Sequence, residues 1–163
     1  MTACGLRRPQ RFIECRTCAG TLDVVVPGWR DVQHGCGMEV WQNLDGNYLG
    51  LVRTLSDLGL PDLGDEPAVR RHCGTLAERM ESELVETEML DHLEGRAVAF
   101  ISRRVEGSAI RFTGVLIVPT PRATWVWTTC AEAAGAVASQ SADPPLAKVR
   151  RELRNLLGVK LAA

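Results

Sequence analysis

The sequence lacks the features that mark proteins built into a membrane or sent out of the cell. No run of about 18 apolar residues occurs, so we expect no helix that spans a bilayer. The residues up to Gln10 have no apolar centre of the kind that a secretory signal needs, which predicts a soluble, cytoplasmic chain as written. Cys4 follows Met1-Thr2-Ala3 as a lipid-modified cysteine follows a lipoprotein signal. An exported lipoprotein is therefore the alternative if an upstream signal is missing.

An excess of charge of one sign is also missing. The chain has 19 Lys and Arg against 20 Asp and Glu, so no overall field attracts nucleic acid or an anionic membrane. Arg103, Arg104 and Arg111 flank a predicted hairpin, but Tyr48 is the only tyrosine and no aromatic ladder accompanies them for base stacking. These features argue against a nucleic-acid partner and favour an unknown protein partner or self-association.

The short motifs that mark common enzymes are absent as well. The sequence has no GxSxG, no phosphate-binding glycine loop, no HExxH and no EF-hand loop. Glu86 and Glu88 share a predicted strand face, as the two carboxylates of an acid–base pair do, but on a polar face we expect them to be solvated. We therefore predict no catalytic and no cofactor-binding residues. A small enzyme with an unrecognised site is kept as an alternative.

The cysteines carry the only pattern with metal-binding chemistry. Six cysteines among 163 residues are too few for a disulfide-rich scaffold, so reduced thiols are expected. Cys15 and Cys18 form a CxxC, and His34 and Cys36 follow at a separation that zinc ribbons use. A single residue between His34 and Cys36 makes it harder for both to reach one tetrahedral ion. Plain thiols are the prediction, with structural zinc in a regulatory or nucleic-acid-associated protein, or a Cys15–Cys18 disulfide or redox pair, as alternatives.

The first half of the chain alternates between strand patterns and turn formers. Apolar residues at every second position predict three strands, at Thr21–Val26, Met38–Gln42 and Tyr48–Leu55. Asp65 is placed to cap a helix that has Pro67 in its first turn. One face of this helix is predicted to carry Val69, Cys73, Leu76 and Met80.

The segment from Glu83 to Thr129 predicts four successive strands. In the first, Val85, Thr87 and Met89 alternate with Glu86 and Glu88, which indicates one wet face. Arg96–Val105 and Ser108–Val118 follow as a hairpin joined at Glu106-Gly107. The second of these strands directs apolar residues one way, namely Ile110, Phe112, Leu116 and Val118, with Gly114 between them. In the last strand Trp125 and Trp127 share a face, which we interpret as a core layer.

The end of the chain predicts two further helical pieces. The alanine-rich stretch Ala131–Ala142 is expected to form a short helix followed by a linker. Asp143 and Pro144 then begin a helix with an apolar stripe of Leu146, Val149, Leu153, Leu156 and Leu157. Its other side carries Lys148, Arg150, Arg151 and Arg154. We expect that side to be solvated, with an acid-binding surface or a contact to a neighbouring copy as alternatives.

The resulting order is β-β-β-α-β-β-β-β-α, which predicts an α+β fold: an antiparallel sheet with helices on one or both faces. We expect an N-terminal arm, residues 1–20, and a single domain, residues 21–163.

The second half of the chain resembles a known superfamily. Glu94-Gly95-Arg96, a strand, a Glu-Gly turn, a long strand ending Leu116-Ile117-Val118 and an aromatic-rich strand are similar to the second half of the PsbP-like α/β/α sandwich. That superfamily includes LpqN-type lipoproteins, whose first half has a proline and tryptophan after a short strand, as Pro27-Gly28-Trp29 does here. The resemblance implies a non-enzymatic binding or accessory protein, often exported, with no catalytic residues to carry over.

Overall fold

The fold was examined in a computed structural model of the chain. The structure describes residues 28–35, 37–44, 47–54, 58–93, 95–134 and 143–159. The division into an arm and one domain stays a prediction, because residues 1–27 lie outside these ranges.

Three short strands form one side of the sheet: β1 (Arg30–Gly35), β2 (Met38–Gln42) and β3 (Tyr48–Thr54). Each pairs antiparallel with the next. The predicted second and third strands are therefore confirmed. The predicted strand at Thr21–Val26 lies outside the described residues.

Four longer strands follow: β4 (Glu83–His92), β5 (Gly95–Glu106), β6 (Ala109–Pro119) and β7 (Thr124–Ala134). The predicted β5–β6 hairpin is confirmed, since Glu106 pairs with Ala109 across a two-residue link. The link begins at Gly107, whose φ of 63° is a conformation that glycine adopts without strain.

All seven strands form one antiparallel sheet in the order β1-β2-β3-β7-β6-β5-β4. The long strand β7 lies at its centre because it pairs with β3 on one side and with β6 on the other. Two helices complete the described fold, α1 (Glu66–Arg79) and α2 (Asp143–Leu156). The predicted fold class and element order are confirmed.

Helix α1 begins as its sequence predicts. The Asp65 carboxylate accepts a hydrogen bond of 3.0 Å from the Ala68 backbone N–H, and Pro67 occupies the first turn. The buried stripe is Val69, Cys73 and Ala77. Met80 was predicted on this stripe, and this is wrong, because the helix ends at Arg79 and the Met80 side chain is exposed.

The two helices cover opposite faces of the sheet. Helix α1 packs on Val98, Phe100, Val115 and Ile117 in the β5–β6 half. Helix α2 covers a larger core that reaches across the sheet from β2 to β5, and its four buried residues are Leu146, Val149, Leu153 and Leu156. The architecture is thus a sheet between two single-helix layers, with the face on the α1 side only half covered by that helix.

The described part of the sheet begins with β1, a segment that the sequence analysis left unassigned. Two local predictions are wrong. Residues 131–134 continue β7 instead of starting a helix, and residues 135–142 lie outside the described part of the chain. The pairing of β4 with β5 shifts register between Leu84 and Glu86, so Val85 packs on the α2 side and Met89 on the α1 side.

Candidate functional site

The predicted zinc ligands stay untested. Cys15, Cys18 and Cys36 lie outside the described residues, and His34 lies in β1 with its side chain also outside them. Among the residues that the structure describes, no three His, Cys, Asp or Glu side chains come together as a metal-binding group.

The one carboxylate pair that the sequence analysis identified is engaged by α2. Glu86 accepts hydrogen bonds from two nitrogens of Arg150, Nε at 2.8 and 3.1 Å and Nη2 at 2.6 Å. Glu88 lies 3.4 Å from Arg154 one helical turn further on. The two glutamates share a strand face as predicted, but they are paired with arginines and are not simply solvated. The basic side of α2 therefore contacts acidic residues of its own chain.

The three arginines beside the hairpin are also paired with glutamates. Arg103 donates a hydrogen bond of 2.8 Å to Glu83. The Arg103 side chain lies on the opposite face of the sheet from those of Arg104 and Arg111. On the other face Arg104 lies 3.2 Å from Glu106. Each guanidinium thus has a carboxylate partner, which reduces the positive potential that this end of the sheet presents to an anion.

Arg111 lies at the centre of this charged group. It pairs with Glu132 at 2.6 Å and with Glu106 at 3.1 Å. The hydrogen bond from Arg111 to Glu132 raises the pKa of the guanidinium above its ordinary value. The group therefore stays cationic and balanced by carboxylates.

Cys73 is a buried thiol of low reactivity. It is fully buried on α1, and burial raises its pKa to about 11. A thiol with so high a pKa is not a nucleophile near neutral pH, because the thiolate is the reactive form. Cys73 thus acts as a small buried hydrophobe on the helix face where the sequence predicted it. Cys130, the other described cysteine, is half-buried within β7.

The two tryptophans of β7 form a core layer, as predicted. Trp125 and Trp127 are buried beneath α2. The ring of Trp127 lies 5.6 Å from that of Trp41, and the Arg53 guanidinium lies 5.2 Å above the Trp125 ring. These aromatic side chains pack in the core.

The sheet surface that α1 leaves uncovered is the strongest candidate for a functional site. Two rows of cross-strand paired residues cross this side of the sheet, from β6 beneath α1 to β7, β3 and then β2. One row joins Ile117, Val126, Val52 and Met38. The other joins Val115, Thr128, Gly50 and Val40. We call this surface the open face and define it by its side chains: Met38, Val40, Tyr48, Val52, Val126 and Thr128.

The open face is apolar and accessible. Met38 is 38%, Val52 42% and Tyr48 57% exposed. Val40, Val126 and Thr128 are partly buried by their neighbours. None of the six side chains is charged, and no described helix lies over β2 or β3 on this side.

The sequence carried a signal for this surface that the periodicity analysis passed over. β3 places Leu49 and Leu51 in the core beneath α2, but it also places Tyr48 and Val52 on the opposite face. A strand of an antiparallel sheet with one wet face normally alternates apolar with polar residues. Apolar residues on both faces are typical of a strand that is covered on both sides.

The concave features of the described surface are more polar than the open face. One depression of about 580 Å³ lies where the end of α1, the start of β4 and the end of β5 meet, lined by charged residues that include Glu78, Glu83 and Arg103. Another of about 330 Å³ lies where α1 begins, lined by Leu63, Arg70 and Arg96 among others. In the first, the Ser82 hydroxyl donates a hydrogen bond of 3.0 Å to the Ala77 carbonyl, and no histidine is among the described residues that line either depression.

Neither of the two described helices has the length and apolar character that crossing a membrane requires.

Comparison with known proteins gives a likeness in structure only. No protein-family model matches the chain, and no curated protein matches it. Among solved structures, the chain is similar to LpqN, a protein involved in cell envelope biogenesis of Mycobacterium tuberculosis. The TM-score is 0.42 at 14% sequence identity, over 90% of this chain and 86% of that one. Membership in the PsbP-like superfamily stays a prediction.

Proposed function

We propose that this chain is a non-enzymatic binding or accessory protein that holds a protein partner on its open face. The observation that carries the proposal is the cluster of exposed apolar side chains on β2 and β3, led by Met38, Tyr48 and Val52. Apolar residues that are exposed singly are ordinary, but a contiguous apolar patch marks an interaction surface. A partner that covers this patch removes it from water, which is the main source of binding free energy.

The chemistry of the remaining polar groups supports a binding role over a catalytic one. Glu86 and Glu88 form ion pairs with arginines of α2. Cys73 is protonated and buried. Each of these groups has a structural role that accounts for its position.

The proposal is tested by comparing two variants that place an arginine on exposed valines in different parts of the sheet. Val52→Arg introduces a charge into the open face, whereas Val105→Arg introduces the same charge at a 68% exposed position on β5 outside it. Cells that naturally make this protein would express tagged wild-type, Val52→Arg and Val105→Arg chains. Partners would be fixed by formaldehyde crosslinking and quantified by mass spectrometry.

We expect a protein partner, a second copy of the chain included, that wild-type and Val105→Arg retain and that Val52→Arg loses. With that partner purified, Val52→Arg should weaken binding at least about tenfold, since a buried unpaired charge is costly. If all three chains capture the same proteins in equal amount, the open face is not a binding surface and the proposal is wrong.

A further inference from the structure

We propose that β4 accepts an extended, basic segment of another protein as an added strand of the sheet. β4 is the outermost strand at the end of the sheet away from β1, so only its inner side is paired, with β5. An extended peptide that pairs with such an edge gains main-chain hydrogen bonds, and its side chains give specificity. This edge is separated from the open face by β5 and β6, and the proposal does not depend on that surface.

The two edges of the described sheet differ in length and regularity. β1 has 6 residues and a register shift between Asp31 and Gln33, and short or bulged edges are poor templates for another strand. β4 has 10 residues, and its pairing with β5 is continuous from Glu86 to His92. β4 therefore offers the longer regular row of backbone groups.

The outward backbone groups of β4 follow from the geometry of the β4–β5 hairpin. His92 pairs with Gly95 across two residues, and the closing pair of such a hairpin is joined by hydrogen bonds. Because inward and outward groups alternate along a strand, the N–H and C=O groups of Thr87, Met89 and Asp91 point away from β5. No described residue forms a hydrogen bond with these outward groups. They are available to an incoming strand.

A groove lies beside this edge on the α1 side. Helix α1 lies closer to β4 than to β5, and the flank that carries Arg70, Gly74 and Glu78 faces the edge. The depressions of about 330 Å³ and about 580 Å³ lie at the two ends of this flank. Between them, a Cβ built at Gly74 would meet only the Leu84 Cδ2 atom, at 4.0 Å. A strand added to β4 therefore has room for its side chains beneath α1.

The side chains of β4 determine the charge of the incoming strand. β4 carries 4 carboxylates, on Glu83, Glu86, Glu88 and Asp91, and it has no lysine or arginine. A second copy of this edge would bring the same carboxylates alongside, and like charges on neighbouring strands are destabilising. A strand that carries lysine or arginine is complementary.

Glu88 offers a contact for such a cation. Its side chain is 51% exposed, and Arg154 contacts its Oε1 atom at 3.4 Å. The Oε2 atom can accept a hydrogen bond from a lysine or arginine on the α2 side of the added strand. On the other side of the sheet, Leu63 and Met89 line the smaller depression and favour an apolar side chain. Since side chains alternate between faces, the expected segment alternates basic residues with apolar or small ones.

The test uses the purified full chain, isotopically labelled for NMR, and the synthetic peptide Lys-Thr-Lys-Val-Lys-Thr-Lys with blocked ends. Amide chemical shifts and hydrogen exchange are recorded during a titration to about 1 mM peptide. One control peptide has glutamate in place of every lysine. The other is N-methylated at each internal residue, which keeps the charges but removes the backbone donors that strand pairing needs.

A pair of variants tests the backbone of β4 itself. Asp91→Pro removes one outward N–H, at an exposed position on an edge strand where proline is tolerated. Asp91→Ala is the matched control, because it loses the same carboxylate and keeps the N–H. Circular dichroism and thermal melts establish that both variants fold. If Asp91→Pro does not fold, the two control peptides decide the outcome.

We expect the lysine peptide to bind the wild-type chain with a dissociation constant below about 1 mM. Binding should shift the amide signals of Thr87, Met89 and Asp91 and slow their hydrogen exchange. Asp91→Pro should bind the peptide about fivefold more weakly than Asp91→Ala, since one backbone hydrogen bond is lost.

The proposal is overturned if the lysine peptide leaves the β4 amides unchanged at about 1 mM. Equal binding of the N-methylated peptide would also overturn it, because charge alone would then explain the affinity. Equal binding of the glutamate peptide would contradict the basic character of the partner. A chain that dimerises through β4 without any peptide would assign the edge to a second copy and would overturn the proposal as well. None of these results affects the function proposed for the open face.

Discussion

Gly114 lies on β6 directly beneath α2, at the closest approach of helix and sheet. A Cβ built at this position would come closer than van der Waals contact to Val149 and would lie 3.0 Å from the Leu153 Cδ1 atom. Both neighbours are buried in the α2 core and have little room to move. The absence of a side chain at Gly114 therefore sets how deeply α2 seats on the sheet.

We expect Gly114→Ala to lower the free energy of unfolding by about 1–3 kcal/mol, the usual cost of overpacking a core. Gly50→Ala is the matched control, since it adds the same methyl group to a strand of the same sheet, where the nearest atom is 3.9 Å away. The control should change stability by less than about 0.5 kcal/mol. Urea denaturation of both variants measures the difference. Equal effects would show that α2 accommodates the added methyl group.

The raised pKa of the Cys73 thiol predicts that the folded chain loses stability at alkaline pH. The pKa of the thiol is about 11 in the folded chain, against 9.0 for an unburied cysteine. The folded state therefore holds this proton more tightly than the unfolded state does. The stabilisation is present below pH 9 and is lost as the pH rises towards 11. At about 1.4 kcal/mol per pKa unit, the free energy of unfolding falls by on the order of 2 kcal/mol by pH 11.

Cys73→Ala removes this titration, and the measurement is urea denaturation of both chains at several pH values between 8 and 11. The variant is expected to be less stable at pH 8, because it leaves a small cavity. The wild-type advantage should then shrink as the pH rises. A constant difference over the whole range would contradict the raised pKa.

At the scale of elements, the sequence predicted the parts of the fold in which local and tertiary preferences agree. The β5–β6 hairpin and the Asp65 cap of α1 follow from turn and capping chemistry that operates within a few residues. β1 was missed because it has only one large apolar side chain, Val32, and depends on backbone pairing with β2 at the sheet edge. Residues 131–134 favour a helix locally, but pairing with β6 extends them as strand.

The ion pairs that join α2 to β4 differ in strength for a reason visible in their geometry. Arg150 and Glu86 form a two-bond contact with side chains 47% and 33% exposed. Arg154 and Glu88 meet at one distance of 3.4 Å, with side chains 65% and 51% exposed. Water and salt screen the second pair more than the first.

Double-mutant cycles with glutamine at both positions of each pair measure the two couplings. We expect about 0.5–1 kcal/mol between Glu86 and Arg150, and less than about 0.3 kcal/mol between Glu88 and Arg154, which is the matched control. Adding 1 M salt should reduce the larger value, since the screening length falls to about 3 Å. Couplings of equal size would mean that burial and two-bond geometry contribute nothing here.

At the scale of the whole molecule, the candidate site could not be predicted from the sequence because it depends on what each helix covers. The periodicity of β2 and β3 contains apolar residues on both faces, but only the sheet order shows that α1 lies over the β5–β6 half. The predicted pair Glu86 and Glu88 did share a face, but no local pattern indicated that α2 would bring Arg150 to it. Position in the assembled fold decided both outcomes.

The metal content of the whole chain is the remaining question that the sequence analysis raised. The expectation of plain thiols rests on the single residue between His34 and Cys36, a spacing that hinders tetrahedral coordination by both. Protein purified without added zinc should therefore contain well under one zinc per chain by atomic absorption. Stoichiometric zinc that is lost in Cys18→Ser, and kept in Cys130→Ser, would contradict this expectation. Since Cys130 lies in β7 and outside the predicted ligand set, that pair of results would assign the metal to the cysteines near the start of the chain.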